Sequence, residues 1–477
     1  MAENGRLRVG LFGIGLAAYW GQFAGLEDRL KGYVARIAEK IDGPGREVVN
    51  FGLVDSADRA YAVGHEARRQ NVDLLVIYVT TYALSSTVLP VVRRAGLPVL
   101  VLNLQPEAAI DYARFNALGD RTAMTGEWLA YCSACPVPEI ANVFARAGIP
   151  FHQVTGVLED DRECWGEIEG WMQAAQTAEA LSNLRLGLMG HYYGGMLDIA
   201  TDLTAVSSVF GTHIEMLEID ELGAIRAEVS KDAVAAKLTA FAEEFDIQPD
   251  CTTFELERAA RTSAALDMLV ERYSLGALAY FYKGSGCEMN QDTITSIILG
   301  MSMLTSHGIS TAGEYEVKNV LAMKMMDSLG AGGSFTEYYA VDFRDDVVLM
   351  GHDGPGHSGI AEGKVKVKPL DVYHGKVGSG LSVEMRVKTG PVTLLSVVEC
   401  KQHGFKLLFA HGETERGPIL EIGNTNSRYR FPIGARAFLN RWNEQAPPHH
   451  CAVGLGHVGD RIEKLAKLLR IEAIEVC

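Results

Sequence analysis

Residues 8–13 read RVGLFG, a short apolar run that leads into a glycine-rich turn. Three further apolar runs follow along the chain: VVNFGLV (48–54), DLLVIYV (73–79) and LPVLVL (97–102). Helical stretches are predicted between these runs, at 26–41, 57–70 and 84–95. This alternation predicts a parallel sheet with helices on both faces.

A second alternating region begins near Leu184. Strands are predicted for LRLGLMG (184–190), HIEMLEID (213–220) and ALAYFY (277–282), and helices for 196–209, 229–245, 255–273 and 292–307. After about residue 340 the composition changes to short, alternating, β-branched runs at 362–370, 382–389, 391–399 and 405–411. Such runs are typical of an antiparallel sheet or barrel. A further helix is predicted at 456–470 and a strand at 471–476.

The predicted fold class is therefore α/β, with two Rossmann-like three-layer α/β domains followed by a mixed, β-rich, barrel-like C-terminal domain. The expected domains are an N-terminal α/β domain at 1–183, a central α/β domain at 184–331 and a C-terminal domain at 332–477. A chain of 477 residues is too long for a single core, which agrees with several domains.

Composition narrows the class of protein. Hydrophobic residues make up 48% and charged residues 22% of the chain, as in ordinary globular proteins. The formal net charge of −16 argues against a nucleic-acid partner, because phosphate contacts need clustered lysine and arginine. We expect no membrane partner and no secretory signal, since the sequence shows neither a long apolar run nor a signal pattern. Eight scattered cysteines, with one CxxC pair at Cys132 and Cys135, fit a reducing, cytoplasmic location.

The turn after the first predicted strand matches part of a dinucleotide-binding motif. Gly13 and Gly15 fit the start of GxGxxG, and Ala18 is tolerated at the third glycine position. The acidic residue expected about 20 residues later is missing, and Asp55 lies about 40 residues on. A nicotinamide oxidoreductase is therefore an alternative that the spacing disfavours.

Residues 308–357 carry the pattern with the clearest chemistry. Glu314, Glu337 and His352 each lie beside small residues or glycine, and His449-His450 follows about a hundred residues later. Two carboxylates and two imidazoles suit Mn²⁺, Co²⁺, Fe²⁺ or Mg²⁺, with positions left for a substrate. Carboxylates beside such an ion can also move a proton between adjacent carbons, as the interconversion of an aldose and a ketose requires.

Each of these residues also has a purely structural interpretation. Glu314 could cap a helix at 315–329, His352 could hydrogen-bond the following DGPG turn, and His449-His450 could be an exposed pair. Glu337 is harder to explain in this way, because a carboxylate in an apolar, strand-like segment is unfavourable unless it is paired. Four other acidic residues are interpreted as supporting or surface groups: Glu288, Asp292, Glu316 and Asp353.

A family resemblance strengthens the metal hypothesis. The segments AGEYEV (312–317), GGSFTEYY (332–339) and VVLMGH (347–352), followed by His449-His450, occur in the order found in L-arabinose isomerases. The chain thus resembles the L-fucose/L-arabinose isomerase superfamily. The resemblance implies that Glu314, Glu337, His352 and His450 bind the metal, with Mn²⁺ as the expected cofactor. It also implies that Glu314 and Glu337 form the acid/base pair.

The same resemblance bears on substrate and assembly. The residues expected to contact the substrate are Tyr19, Tyr82, Met196, Tyr282 and His449. The implied assembly is a homo-hexamer in which the first domain closes over the metal site of a neighbouring subunit. The expected substrate is a free pentose or (deoxy)hexose.

Three segments depart from the family pattern: EWLAYCSACPVPE (127–139), LGALAYFYKGSGCEMN (275–290) and DGPGH (353–357). Because these segments are expected to contact the distal hydroxyls of the sugar, the substrate need not be L-arabinose itself. The predicted function is metal-dependent aldose–ketose isomerisation through a cis-enediol. The alternative is a sugar-binding or sensory protein built from paired α/β domains, without turnover.

Overall fold

The computed structural model describes residues 6–283, 286–370, 378–401 and 404–477. The chain divides into a first compact unit that ends at Glu179 and a second that runs from Ala180 to Cys477. Residues 284 and 285, in the departing segment at 275–290, lie outside the described residues. Within the described part of the chain, every helix is too short or too polar to cross a membrane.

The first unit is built on a five-stranded parallel sheet with the order β2-β1-β3-β4-β5. Its strands are β1 (Leu7–Ile14), β2 (Arg46–Val54), β3 (Leu74–Tyr78), β4 (Val99–Gln105) and β5 (Phe151–Val157). Its helices are α1 (Leu26–Ile41), α2 (Ala57–Arg69), α3 (Ser85–Ala95), α4 (Tyr112–Ala117), α5 (Arg121–Tyr131), α6 (Val137–Arg146) and α7 (Arg162–Ser182), the last of which crosses the unit boundary. The inner strand β3 is buried throughout, because helices cover both faces of a parallel sheet.

The second unit begins with another parallel sheet, in the order β10-β9-β6-β7. The strands of this region are β6 (Arg185–Gly190), β7 (His213–Leu217), β8 (Phe245–Ile247), β9 (Ala277–Phe281) and β10 (Ser310–Ala312). Its helices are α8 (Leu203–Phe210), α9 (Ile219–Glu228), α10 (Lys231–Glu244), α11 (Thr253–Tyr273), α12 (Glu288–Thr295), α13 (Ile298–Ser306) and α14 (Val317–Ser328). The loops that leave β6, β9 and β10 lie at the carboxyl ends of parallel strands, where α/β proteins bind their ligands.

The rest of the second unit is a barrel. Its strands are β11 (Ser334–Asp342), β12 (Val347–His352), β13 (Val365–Leu370), β14 (Gly380–Glu384), β15 (Gly390–Cys400), β16 (Gly404–Glu415), β17 (Thr425–Arg430), β18 (Cys451–Leu455) and β19 (Glu472–Glu475), with helices α15 (Ala435–Glu444) and α16 (Gly459–Leu469). Six strands follow the order β15-β18-β11-β12-β17-β16, and the pairing of β15 with β16 closes the ring. β19 pairs with β16 in parallel, outside the ring. The strands β14, β13 and β8 form a separate small sheet.

The predicted fold class is confirmed: two parallel α/β sheets are followed by a β-rich, barrel-like region. The division into three domains, with boundaries after residues 183 and 331, remains a prediction. Within the second unit, apolar residues of the parallel region and of the barrel belong to one buried cluster, which includes Leu278, Val348 and Trp442.

Four predicted elements differ in the structure. The strand predicted at 382–389 ends at Glu384, the last residue of β14. Residues 196–209 are not one helix, because a 3₁₀ turn at Leu197–Ile199 precedes α8, whose first amides are capped by the Asp202 carboxylate. The strand predicted at 213–220 ends at Leu217, where the chain turns into α9. The helix predicted at 292–307 is two helices, α12 and α13. At their junction the Ser296 hydroxyl donates to the backbone carbonyl of Asp292, a bond that competes with regular helix hydrogen bonding.

Candidate active site

Three neighbouring barrel strands place Glu337, His352 and His450 side by side. β11 pairs with β18 in a register that sets Glu337 level with His450, the residue before β18. On the other side of β11, Glu337 pairs with Gly351 of β12, the neighbour of His352. A Cβ atom on Gly351 would overlap the carbonyl oxygen of Thr425 in β17, so the close strand packing requires glycine there.

Glu314 reaches the same site from the parallel sheet. It follows β10 and has a left-handed backbone with φ of 58°, and the next residue, Tyr315, has φ of 65°. The backbone amide of Tyr315 donates to the carbonyl of Tyr280 at 3.1 Å, which ties this turn to β9. Left-handed backbone is strained for residues other than glycine, and such strain persists where the surrounding structure enforces it.

His450 belongs to two groups of possible metal ligands. Glu314, His449 and His450 form one group, and Glu337, His352 and His450 form the other. Within each group, one ligand atom of every residue lies within 4.8 Å of the others. The Nε2 atoms of His450 and His449 lie 3.4 Å and 3.9 Å from Oε2 of Glu314. The two groups therefore meet at a single imidazole.

The surroundings of His450 keep its imidazole neutral. The side chain is buried, and its ring packs against Phe335 with the ring centres 4.4 Å apart. Burial, and then the neighbouring His449, lower the pKa of His450 well below its usual value. Among the described residues, neither ring nitrogen of His450 has a hydrogen-bond partner. A neutral, buried imidazole of this kind is suited to metal binding.

His352 is oriented by the backbone. Its Nδ1 atom lies 2.6 Å from the carbonyl oxygen of Asp353. Because a carbonyl only accepts, Nδ1 carries a proton, and the ring nitrogen left for a metal is Nε2. The His352 ring lies edge-on to Phe335, with the ring centres 4.2 Å apart. This is the hydrogen-bonding pattern by which proteins orient a ligating histidine.

His449 is oriented by Asp198, which lies in the 3₁₀ turn after β6. The Asp198 carboxylate accepts from the backbone amide of His449 at 3.0 Å and from its Nδ1 atom at 2.6 Å. Burial raises the pKa of Asp198, but these hydrogen bonds outweigh it and leave the pKa below its usual value. The ionised carboxylate therefore holds Nδ1 of His449 in the protonated form and leaves Nε2 facing Glu314.

Glu316 is a fully buried carboxyl group beneath the site. It caps α14, since its side chain accepts from the amide of Lys318 at 3.2 Å. Its Oε2 atom lies 3.5 Å from Nδ1 of His450. Burial raises the pKa of Glu316 to about 7, against the opposing effect of the nearby Lys318 ammonium. The sequence makes Glu314 a possible helix cap, but the residue that caps α14 is Glu316.

The carboxylates and imidazoles face a cavity of about 260 Å³. Glu314, Glu337, His352 and His449 line it together with Asp353. The remaining wall is largely aromatic or apolar and includes Met196, Phe281, Tyr282, Ile294 and Leu370. Met196 and Tyr282, both predicted to contact substrate, thus lie on the cavity wall, in the loops after β6 and β9.

Tyr19 and Tyr82 belong to the first unit, where both follow strands of the parallel sheet. The Tyr82 hydroxyl donates to Glu139 at 3.5 Å, and burial together with Tyr82 raises the pKa of Tyr19. Asp55, the acidic residue considered for a nucleotide ribose, accepts instead from the Trp20 indole at 2.7 Å. The carboxylate is therefore already engaged within the turn that the nucleotide motif would have used.

Of the remaining residues considered in the sequence analysis, most lie away from the cavity. Asp292 forms ion pairs with Arg226 and Arg258, and Glu288 is exposed at the start of α12. The Nδ1 atom of His357 accepts from the amide of Gly359 at 3.1 Å. Asp353 alone of these residues lines the cavity.

The sequence did not point to Asp198, Phe335 or Lys318. Asp198 lies in a turn that was predicted to be helical, and an aspartate in a helix is usually solvated. Phe335 looks like an ordinary strand residue. A lysine on a helix is usually exposed, whereas Lys318 is buried.

A divalent cation fits these residues. The donors are two carboxylates and three imidazoles, a set that accommodates Mn²⁺, Fe²⁺ or Co²⁺. Two observations favour such an ion: His450 has buried ring nitrogens outside any described hydrogen bond, and His352 has its Nδ1 atom held by a carbonyl. The arrangement is compatible with a divalent metal.

Comparisons with known proteins agree with this chemistry. No family model matches the chain. The chain is 21% identical over 422 residues to a sulfoquinovose isomerase of Alkalicoccus urumqiensis, a match that covers 85% of this chain and 86% of that protein. It is 23% identical over 326 residues to an L-arabinose isomerase of Shewanella sp. (strain ANA-3), covering 65% of this chain and 63% of the relative.

The match to the Shewanella protein spans less than two thirds of that relative's length. Both relatives are named as isomerases of sugars, and both identities are low. They do not favour the alternative of a sugar-binding protein without turnover. Together with the clustered carboxylates and imidazoles, these similarities support an aldose–ketose isomerase, without deciding between the substrates of the two relatives.

Proposed function

We propose that this chain is a metal-dependent isomerase that interconverts a free pentose or (deoxy)hexose aldose and the corresponding ketose. The observation that carries the proposal is that Glu314, Glu337 and His352 line one cavity and that the buried His450 lies within ligand distance of all three. Its volume of about 260 Å³ lies just below the range of roughly 300–1,000 Å³ typical of pockets for drug-sized ligands, as expected for a monosaccharide.

The proposed reaction is a proton transfer between C2 and C1 of the sugar. One of the two carboxylates, Glu314 or Glu337, removes the C2 proton, and the electron pair of the broken C–H bond forms the C1–C2 double bond of a cis-enediol. The aldehyde oxygen O1 gains a proton as the enediol forms. The O2 hydroxyl then loses its proton and a carbonyl forms at C2, while the electron pair of the C1–C2 double bond takes up the returning proton at C1 and gives the ketose.

Glu314, Glu337, His352 and His450 would hold the cation. When bound, a divalent ion would stabilise the negative charge that develops on the substrate oxygens. We propose Mn²⁺ as the ion, with Co²⁺, Fe²⁺ or Mg²⁺ as substitutes, since each accepts this mixture of oxygen and nitrogen ligands. The neutral state of the buried His450 imidazole supports its role as a nitrogen ligand, because burial lowers its pKa.

The composition of the cavity lining supports a role in substrate orientation. Met196, Tyr282 and His449 are proposed to contact the sugar, with Tyr282 and Met196 offering an apolar surface and His449 a polar one. Tyr19 and Tyr82 are proposed to contact the substrate of a neighbouring chain in a homo-hexamer. Light scattering would test the assembly, and mixing Glu337→Gln chains with Tyr19→Phe chains would test whether sites are shared.

The experiment that tests the function is an NMR assay of aldoses and ketoses in D₂O, with Mn²⁺ and with EDTA. Pentoses, hexoses, deoxyhexoses and sulfonated hexoses form the panel. Ketose formation that requires the ion, with deuterium appearing at the carbon that receives the proton, is expected for at least one sugar. Sugar binding that is insensitive to EDTA, without any exchange or turnover, would contradict the proposal and favour a binding protein.

A further inference from the structure

Lys318 is a buried lysine at the second position of α14. Its Nζ atom donates to the carbonyls of Ile199 and Ala200, both at 3.0 Å, and to the Thr201 hydroxyl at 2.7 Å. An ammonium group has three donors, and these three acceptors use all of them. The Glu316 carboxylate lies 3.7 Å away and balances the charge.

The segment held by Lys318 carries Asp198. The 3₁₀ turn Leu197–Ile199 ends directly before the acceptors Ala200 and Thr201, so the ammonium fixes the backbone on the C-terminal side of Asp198. Asp198 in turn accepts from both the backbone and the ring of His449. Two sets of hydrogen bonds, joined through the backbone of residues 198–201, therefore connect the start of α14 with an imidazole at the cavity.

We propose that Lys318 is a positioning residue that sets the tautomer and orientation of His449 through Asp198. The inference rests on the proposed function only in assigning His449 to the substrate, since the hydrogen bonds themselves exist without any ligand. The first residue of the turn, Leu197, is 86% exposed, whereas its last residue, Ile199, is fully buried. The ammonium binds the turn at this buried end, through the carbonyl of Ile199.

The matched control is Lys324, a second buried lysine on the same helix. Its Nζ atom donates to the carbonyl of Gly308 at 2.8 Å and lies 3.7 Å from Asp327. It makes no described contact with the 197–201 turn. Lys318→Met and Lys324→Met both remove a buried ammonium, so a general loss of stability affects both variants, whereas a positioning effect is confined to the first.

The decisive measurement is the ¹⁵N spectrum of the histidine rings in the metal-free protein, with the His449 signals assigned by His449→Gln. In the wild type and in Lys324→Met we expect the tautomer protonated on Nδ1. In Lys318→Met we expect a mixture of tautomers, and a loss of catalytic efficiency of about 10- to 100-fold, the range for residues that orient ligands. Unchanged His449 signals in folded Lys318→Met would overturn the proposal, whether or not the protein is an isomerase.

A milder pair of variants covers the case in which Lys318→Met does not fold. Thr201→Val removes one acceptor of the ammonium with little change of shape, and Thr201→Ser keeps it. We expect Thr201→Val to perturb the His449 signals and Thr201→Ser to restore them. In a protein that already carries Asp198→Asn, Thr201→Val should have no further effect on the His449 signals. If Thr201→Val instead changed these signals as much as it does in the presence of Asp198, Lys318 would not act through Asp198.

Discussion

The Nε2 atom of His450 lies 3.4 Å from the Oε2 atom of Glu314, so an imidazole placed by the barrel meets a carboxylate placed by the parallel sheet. An ion held by both would connect the two regions of the second unit. Such an ion stabilises the folded state by an amount that depends on its concentration, about 2.7 kcal/mol at a hundredfold excess over Kd.

We therefore predict that Mn²⁺ raises the melting temperature of the wild type, and that His450→Gln abolishes this rise. His457→Gln is the control, because His457 is also a histidine of the barrel region but bonds the carbonyl of Gly412, away from the two ligand groups. Differential scanning calorimetry with Mn²⁺ and with EDTA is the measurement. A full metal-dependent shift in His450→Gln would exclude this residue as a ligand.

Replacing Glu337 by glutamine is predicted to remove activity while leaving the fold intact. The change keeps the size of the side chain but removes its capacity to take up a proton. Proton transfer by a positioned side chain typically contributes about 10²- to 10⁴-fold to the reaction rate. Turnover with the sugar identified by NMR should fall by at least about 100-fold, with a far-UV spectrum like that of the wild type. Glu413→Gln, at an exposed position on β16, should keep normal turnover.

The left-handed backbone of Glu314 gives a prediction about stability. At a φ of 58°, alanine is strained and glycine is not, so Glu314→Gly should be more stable than Glu314→Ala by about 1 kcal/mol. Urea unfolding of the two metal-free variants measures the difference. Ala240, at an ordinary position inside α10, is the control. There the protein with alanine should be more stable than the Ala240→Gly variant, because glycine is less favourable than alanine inside a helix.

His357 gives a prediction about pH. Burial lowers the pKa of this imidazole, and its Nδ1 atom must stay unprotonated to accept from Gly359. The unfolded chain takes up a proton near pH 6.5 and the native site does so only at lower pH, so native stability is lost as pH falls below about 6.5. The loss attributable to His357 is at most about 1.4 kcal/mol for each pH unit.

His357→Asn isolates this effect, since asparagine keeps an acceptor but does not titrate in this range. The free energies of unfolding of the wild type and the variant should converge as the pH falls from about 7.5 to about 5.5. Burial also lowers the pKa of His411. Because both proteins contain this histidine, its contribution cancels when the unfolding free energy of the variant is subtracted from that of the wild type. Parallel pH dependences of the two proteins would mean that His357 is not buried in its neutral form.

Much of the architecture could be predicted from the sequence because each parallel strand is a short apolar run next to an amphipathic helix. The helix predicted at 26–41 has the same bounds as α1, whose Leu30, Val34 and Ile37 are buried. Glu337 could be singled out for a related reason: a carboxylate between aromatic residues on a strand needs a partner. The strand register that sets Glu337 beside His450 could not be predicted, because it depends on pairings between distant segments.

The supporting residues were harder to predict for a different reason. Periodicity assigns Asp198 to a helix, whereas the capping of α8 by Asp202 places the start of the helix after Asp198. Lysine is interpreted as exposed from its type alone, whereas Lys318 is buried because three oxygens of a distant turn satisfy its ammonium. Local sequence carries no signal for either role, because the partners of both side chains come from distant parts of the chain.

The sharing of His450 between both ligand groups limits how many ions the cavity can take. A neutral imidazole offers one lone pair, and a nitrogen that serves one ion cannot serve a second at the same time. In the proposed metal site, the two groups would therefore belong to one coordination sphere. Titration of the chain should accordingly follow one class of sites with a stoichiometry of one ion per chain, and competing ions should displace one another rather than bind side by side.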